Sequence, residues 1–226
     1  MTVPVIAIDG PSGSGKGTVS RRVAAALDWQ LLDSGALYRL TGLAGQRRGL
    51  DPGDVAGHAA LAATMDVSFG SRADGSEQIL LGTADVTDAI RSELAGSLAS
   101  RVAGYAEVRA ALMGRQQRFR RLPGLVADGR DMGSVVFPDA ALKIFLTATA
   151  EERARRRHRQ LAEQGQSVDL AEVAREIAAR DHRDTTRAVA PLIAAADAVL
   201  LDSTALGPPE VVAQVLALAR ARRLAS

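Results

Sequence analysis

The chain has 226 residues, 47% of them apolar, and 28 Lys and Arg against 26 Asp and Glu give a formal net charge of +2. That length and apolar content suit one compact unit, or a core with small insertions, around a sizeable interior. The absence of cysteine excludes disulfides and thiolate metal sites, and the near-balanced charge does not require a nucleic-acid polymer as partner.

Residues 3–9 read VPVIAID, an apolar run before a glycine-rich loop, and predict a buried strand. Residues 15–27 predict a helix with Val19, Val23, Ala26 and Leu27 on one face. A short strand follows at 30–32 and a helix at 35–46; Asp51-Pro52-Gly53-Asp54 then turns into another helix. Residues 66–69 and 78–81 predict strands around a Gly/Ser/Asp turn, an antiparallel insertion ending near residue 89. A helix is expected at 107–121, with buried strands at 124–128 and 142–146. Arginine-rich helices at 151–164 and 171–183 are separated by Gly165-Gln166-Ser167, and a strand at 199–202 and a helix at 209–222 close the chain. Strands alternating with helices imply an α/β fold with a parallel sheet covered on both faces.

His58, His158 and His182 lack zinc-ligand spacing. No apolar run is long enough to span a bilayer, and a strand and loop occupy the place of a leader, so a cytoplasmic protein without membrane contact is expected.

The loop Gly10-Pro11-Ser12-Gly13-Ser14-Gly15-Lys16-Gly17-Thr18 follows the first strand and opens the first helix. In that context it is a phosphate-binding P-loop. Glycines let the backbone N–H groups turn toward phosphate oxygens, the helix N-terminus adds positive potential, and Lys16 supplies a point charge. A strict P-loop has Ser or Thr directly after the lysine. Here Gly17 intervenes and the hydroxyl belongs to Thr18. No direct protein ligand is therefore assigned to Mg²⁺, with Thr18 the candidate. The Asn-Lys-x-Asp signature of a GTPase switch is absent, which points toward a small-molecule kinase. A nucleotide-binding switch or a basic RNA-binding module is the rival from another class, disfavoured by the low aromatic content.

A second set of candidates faces an acceptor. Ser34 either caps the helix after the second strand or, with Tyr38 and Arg39 a turn later, lines an acceptor site. Arg130 and Asp131 fall just past the carboxyl end of a predicted parallel strand, where ligands of such sheets bind. Arg180, Asp184 and Arg187 are spaced i, i+4, i+7 and share a face if their helix persists; Arg153 and Arg157 repeat the i, i+4 spacing. Such spacing also suits a solvated, salt-bridged face. Transfer between phosphates builds negative charge that guanidinium forks match, which favours the anion-binding reading.

Gly10–Thr18, then LLDSGALYR, ADGRDMG and RDHRDTTRAVAPL, together resemble the bacterial cytidylate kinases, nucleoside monophosphate kinases of the P-loop class, over almost the whole chain. The resemblance implies a P-loop kinase fold with a core of residues 1–63, 103–150 and 185–226, a monophosphate-binding insertion at 64–102 and a short lid at 151–184. It implies ATP-dependent phosphorylation of CMP and dCMP, with Mg²⁺ accompanying ATP, by a monomer. Gly10 to Thr18 would hold the ATP phosphates, with Lys16, Arg130 and Arg187 catalytic and Arg153 and Arg157 in the lid over ATP. Ser34, Tyr38 and Arg39 would sit at the acceptor nucleotide; Ser100, Arg109 and Asp131 would read cytosine; Arg180 and Asp184 would contact the acceptor's sugar and phosphate side. The chemistry agrees. Cytosine presents an amino donor and two acceptors, suiting a carboxylate at 131 and a guanidinium at 109, whereas uracil would set an oxygen against the carboxylate.

Overall fold

The computed structural model describes residues 2–72, 77–163 and 165–224. In chain order the elements are β1 (Val5–Asp9), α1 (Lys16–Leu27), β2 (Gln30–Asp33), α2 (Ser34–Arg47), α3 (Val55–Thr64), β3 (Val67–Ser71), β4 (Glu77–Leu81) and β5 (Ala84–Asp85). After a 3-10 turn at Ala89–Arg91 come α4 (Glu93–Val102), α5 (Ala106–Gln117) and β6 (Leu125–Gly129), then a π turn at Met132–Val136. The chain ends with β7 (Leu142–Thr147), α6 (Ala150–Glu163), α7 (Leu170–Thr186), β8 (Val199–Asp202) and α8 (Pro208–Ala221). It divides into two compact units, Met1–Asp33 with Gln116–Ser226, and Ser34–Arg115.

The first unit is built on a five-stranded parallel sheet in the order β2-β6-β1-β7-β8. All five residues of β1 and all five of β6 are buried, as expected of inner strands covered on both faces. The edge strands β2 and β8 each bury one residue, Leu32 and Leu201. Ile6, Ile8, Val126, Leu142, Ile144 and Leu146 of the sheet form one core cluster with Val19 and Val23 of α1 and Val211 and Val215 of α8. Burial of such side chains contributes roughly 1.5–3 kcal/mol each and is the main stabilisation of this unit. α6 and α7 close on a small cluster of their own, Ala154, Leu161, Val173 and Ile177, with Val168 packed against it.

The second unit pairs helices with a small antiparallel sheet, β3-β4-β5. The insertion drawn from sequence at 64–102 lies within its span. Two helices approach closely where residues are small: a Cβ on Gly42 of α2 would lie 2.6 Å from the Leu98 Cβ of α4. Two residues, Ala84 and Asp85, add a third strand that the sequence reading left out, because so short a strand carries no periodicity and follows the turn at Gly82, where φ is +60°. The Gly/Ser/Asp turn between β3 and β4, and Gln164 at the end of the expected 151–164 helix, lie outside the described residues.

Two expectations need correction. The helix expected to reach residue 121 stops at Gln117, where the Phe119 and Arg120 N–H groups bond the carbonyls of Gln116 and Gln117 three residues back and tighten the chain out of the α-helix. α7 ends at Thr186, and Arg187 is its C-cap in extended conformation, with φ −61° and ψ 140°. The i, i+7 face that joined Arg187 to Arg180 therefore does not exist as a helical face.

Candidate functional site

The loop between β1 and α1 follows from steric demand at two positions. Gly10 has φ +149°, and a Cβ there would fall against the Leu146 carbonyl oxygen of β7, so any side chain would overlap it. Gly13 has φ +77°, and a Cβ there would meet the Arg153 Cβ at 3.0 Å. α1 starts at Lys16 with no acidic residue in its first turn, leaving the positive helix end available to an anion.

Lys16 is buried. Its Nζ donates to the Pro11 carbonyl at 2.7 Å and the Ser14 hydroxyl at 3.4 Å. Burial pushes its pKa down, Arg130 and Arg180 push the same way, and Asp128 and Asp9 oppose them. Burial raises the Asp128 carboxyl at the end of β6, with Lys16 opposing. Lys16, Arg130 and Arg180 thus stand close together at the loop among the carboxylates of Asp9 and Asp128, an ionisable cluster of the kind found at sites that handle charged ligands.

Arg130 lies directly after β6, where its Nε is 3.1 Å from the Asp184 carboxylate and its Nη1 donates to the Gly129 carbonyl at 3.0 Å. Burial raises the Asp184 carboxyl, but Arg130, Arg180 and Arg187 outweigh it and hold the group below its usual range. The structure therefore brings together Lys16, Arg130, Arg180, Asp184 and Arg187, although Arg187 arrives from the extended residue after α7. There its Nε donates to the Ala190 carbonyl.

Asp131 is buried and begins the π turn, its carbonyl accepting from the N–H of Val135 at 2.9 Å. Arg153 is buried too: Nε donates to the Ala148 carbonyl, Nη1 to the Ser12 carbonyl at 3.0 Å, and Nη2 pairs with Asp181 at 2.6 Å. Its guanidinium braces the phosphate loop from behind. Arg157 donates to Gln160 at 2.8 Å on the outer side of α6. Thr18 is half-buried in the first turn of α1.

In the second unit, the Arg109 guanidinium stands 5.7 Å over the Tyr38 ring, a cation–π distance, and its Nη1 reaches the Ala103 carbonyl at 3.4 Å. Ser34 and Ser100 are buried, and Arg39 donates to the Ile90 carbonyl at 2.6 Å. The candidates Tyr38 and Arg109 meet.

Sequence reasoning missed three groups that shape this site. Arg156 donates to the Ser203 hydroxyl at 3.0 Å and to its carbonyl, and reaches the Ser14 carbonyl at 3.4 Å. Ser203 in turn donates to the Thr147 carbonyl at 2.9 Å. Asp9, the last residue of β1, accepts the backbone N–H groups of Met132 and Gly133, each at 2.8 Å. The signal for Asp9 was available as a carboxylate closing a buried apolar strand. Nothing in the run of three arginines at 155–157 singled out Arg156.

The cytidylate kinase family model matches residues 6–221. The chain is 56% identical over 224 residues to the cytidylate kinase of Stutzerimonas stutzeri (strain A1501), covering 99% of this chain and 98% of that one. It is 56% identical over 211 residues to the cytidylate kinase of Methylococcus capsulatus, covering 93% and 94%. A gluconokinase structure from Sinorhizobium meliloti 1021 superposes at a TM-score of 0.50 with 16% identity, over 98% of this chain and 95% of that one, a likeness of fold alone. Matched from the first strand to the last helix, and joined to two relatives at more than half identity, the chain belongs to the cytidylate kinase family.

Proposed function

We propose that the protein transfers the γ-phosphoryl group of ATP to CMP or dCMP, releasing ADP and CDP or dCDP. The observation that carries the reading is the gathering of Arg130, Arg180 and Arg187 around Asp184, with Arg130 and Arg180 also beside Lys16 of the phosphate loop, in a chain of this family. Guanidinium forks and an ammonium set close together match the oxygens of phosphate groups.

An oxygen of the CMP phosphate attacks the γ-phosphorus in line, the bond from that phosphorus to the β,γ-bridging oxygen breaks, and the electron pair leaves with ADP. A phosphate monoester loses its second proton near pH ~6, so the attacking oxygen is already ionised and no general base is required. Rate comes from position and charge. Residues Gly10 to Thr18 cradle the donor phosphates, Lys16 holds the outer ones, and Arg130 and Arg187 bind the group in transfer. Arg180 and Asp184 face the acceptor's sugar and phosphate side, and Ser34, Tyr38 and Arg39 the acceptor nucleotide. Asp131 accepts from the cytosine amino group, while Arg109 and Ser100 meet its acceptors. Arg153 acts here through the loop backbone it supports, and Arg157 belongs with the α6–α7 lid over ATP. The small apolar cluster between those two helices ties them to each other, which suits a cover that excludes water.

Thr18, half-buried in the first turn of α1, is the protein group that would be at hand for a magnesium ion, which ATP phosphates and water would otherwise hold. When bound with ATP, Mg²⁺ neutralises charge on the transferring phosphates. Among the described residues no helix is long and apolar enough to cross a membrane. The reading places a monomer in the cytoplasm.

The test is chromatographic detection of CDP from CMP and ATP-Mg²⁺, with wild type and Asp131→Ala, and UMP as competitor. Wild type should form CDP and ADP in equal amounts, and Asp131→Ala should lose roughly 10–100-fold of the preference for CMP over UMP. No CDP from folded, ATP-binding protein would reject the reaction; an unchanged preference would reject Asp131 as the base reader.

A further inference from the structure

We infer that Asp9 is a positioning residue for phosphoryl transfer: its carboxylate clamps the backbone of Met132 and Gly133 and so fixes the loop that presents Arg130 and Asp131. The inference rests on the roles proposed above for those two residues.

Both carboxylate oxygens are used, Oδ1 on the Met132 N–H and Oδ2 on the Gly133 N–H, each at 2.8 Å and across more than a hundred residues of sequence. These N–H groups open the π turn at Met132–Val136, where a helical segment has no intrahelical acceptor for its first donors. Asp9 thus serves as a cap delivered from another strand. β1 pairs directly with β6, with Asp9 opposite Gly129, so the clamp springs from the strand next to the one that launches Arg130. From the other side, the Lys143 stem lies against Gly133, where a Cβ would be 3.1 Å from its Cγ and Cδ, and Lys143 is itself held by Asp197 at 2.9 Å. The loop is pinned from both sides.

The carboxylate is expensive to keep here. Burial pushes the Asp9 pKa up to about 6, and Asp131 adds to the rise, against the two N–H groups and Lys16. An apolar side chain would suit the end of an otherwise apolar strand without that cost, and it would leave two buried N–H groups without an acceptor. The cost is explained by what the clamp holds.

Asp9→Asn keeps the shape but turns one acceptor into an N–H₂ aimed at an N–H. The expected signature is a rise of about tenfold or more in KM for CMP, a fall of about tenfold in kcat and a weaker preference for CMP over UMP. The Kd for ATP measured without CMP should stay within about twofold, and the Tm at neutral pH should hold, because burying an ionised Asp9 opposes folding there. CMP kinetics within about twofold of wild type, or a loss of ATP affinity equal to the loss for CMP, would overturn the inference. If the variant does not fold, hydrogen exchange in the unmutated protein decides. Slow exchange at both Met132 and Gly133 amides supports the clamp, and exchange at the rate of an exposed loop refutes it. An unmutated protein that makes no CDP sinks this inference together with the reaction; one that makes CDP while Asp9→Asn matches it sinks the inference alone.

Discussion

The two compact units use arginine in different ways. In Ser34–Arg115, Arg39, Arg109 and Arg115 donate to the backbone carbonyls of Ile90, Ala103 and Met65, tying helices to the turns and strands of the same unit. In the sheet unit, Arg153 and Arg156 do comparable work on the phosphate loop, but Arg130, Arg180 and Arg187 gather round Asp184, and the first two also act on Lys16. Arg130 and Arg187 donate to carbonyls as well, so what sets the second group apart is the Asp184 carboxylate around which several guanidiniums gather, beside the phosphate loop. In a chain whose basic residues are nearly all arginine, the company each keeps says more than its presence.

That contrast is broken most severely at Lys16. Lys16→Ala should lower ADP release by ~10³-fold or more, because no neighbouring arginine replaces a point charge inside the loop. Near-normal turnover would contradict the phosphate role. Arg153→Ala sharpens the other side of the comparison. It removes the Ser12 brace and leaves Asp181 without its 2.6 Å partner, so it should cost about 1–3 kcal/mol of stability, read as a lower Tm, with ATP affinity falling beside it. A large fall in turnover with Tm unchanged would make Arg153 a ligand residue instead.

In the second unit, Gly42→Ala forces a methyl against Leu98 and should cost about 1–3 kcal/mol in thermal or urea unfolding, with ATP affinity intact. Equal loss of ATP affinity would show that the effect is not confined to that packing. The smallest effect is a pH dependence. Burial raises Asp9 from 3.8 to about 6, so the fold favours its neutral form. Its contribution to stability is full below the unfolded pKa and is lost as pH rises through about 6. The Tm margin of wild type over Asp9→Asn should shrink between about pH 5 and about pH 7. A margin constant over that range would contradict the raised pKa.

The strands and helices of the sheet unit were legible in the sequence, because inner strands of a parallel sheet are plain apolar runs and the phosphate loop announces the first strand-to-helix junction. Arg130 and Asp131 were legible for the related reason that their strand ends just before them. Less visible were contacts that spacing does not encode. The i, i+4 pattern selected Arg157, yet it is Arg156, at i+3 from Arg153, that reaches the loop. The i, i+4, i+7 spacing carried a condition that the helix persist, and it persists only to Thr186, so Arg187 arrives by the cap. Asp9 was read as the end of a strand because its two partners come from a distant segment of the chain.

The central claim is a phosphoryl transfer chosen by the cytosine base, and it is met most directly by ADP release from ATP-Mg²⁺ with CMP, dCMP, UMP, AMP and GMP at equal concentration. The account predicts strong release with CMP and dCMP alone. Equal or stronger release with UMP or a purine nucleotide would contradict it and overturn the base-reading roles of Ser100, Arg109 and Asp131.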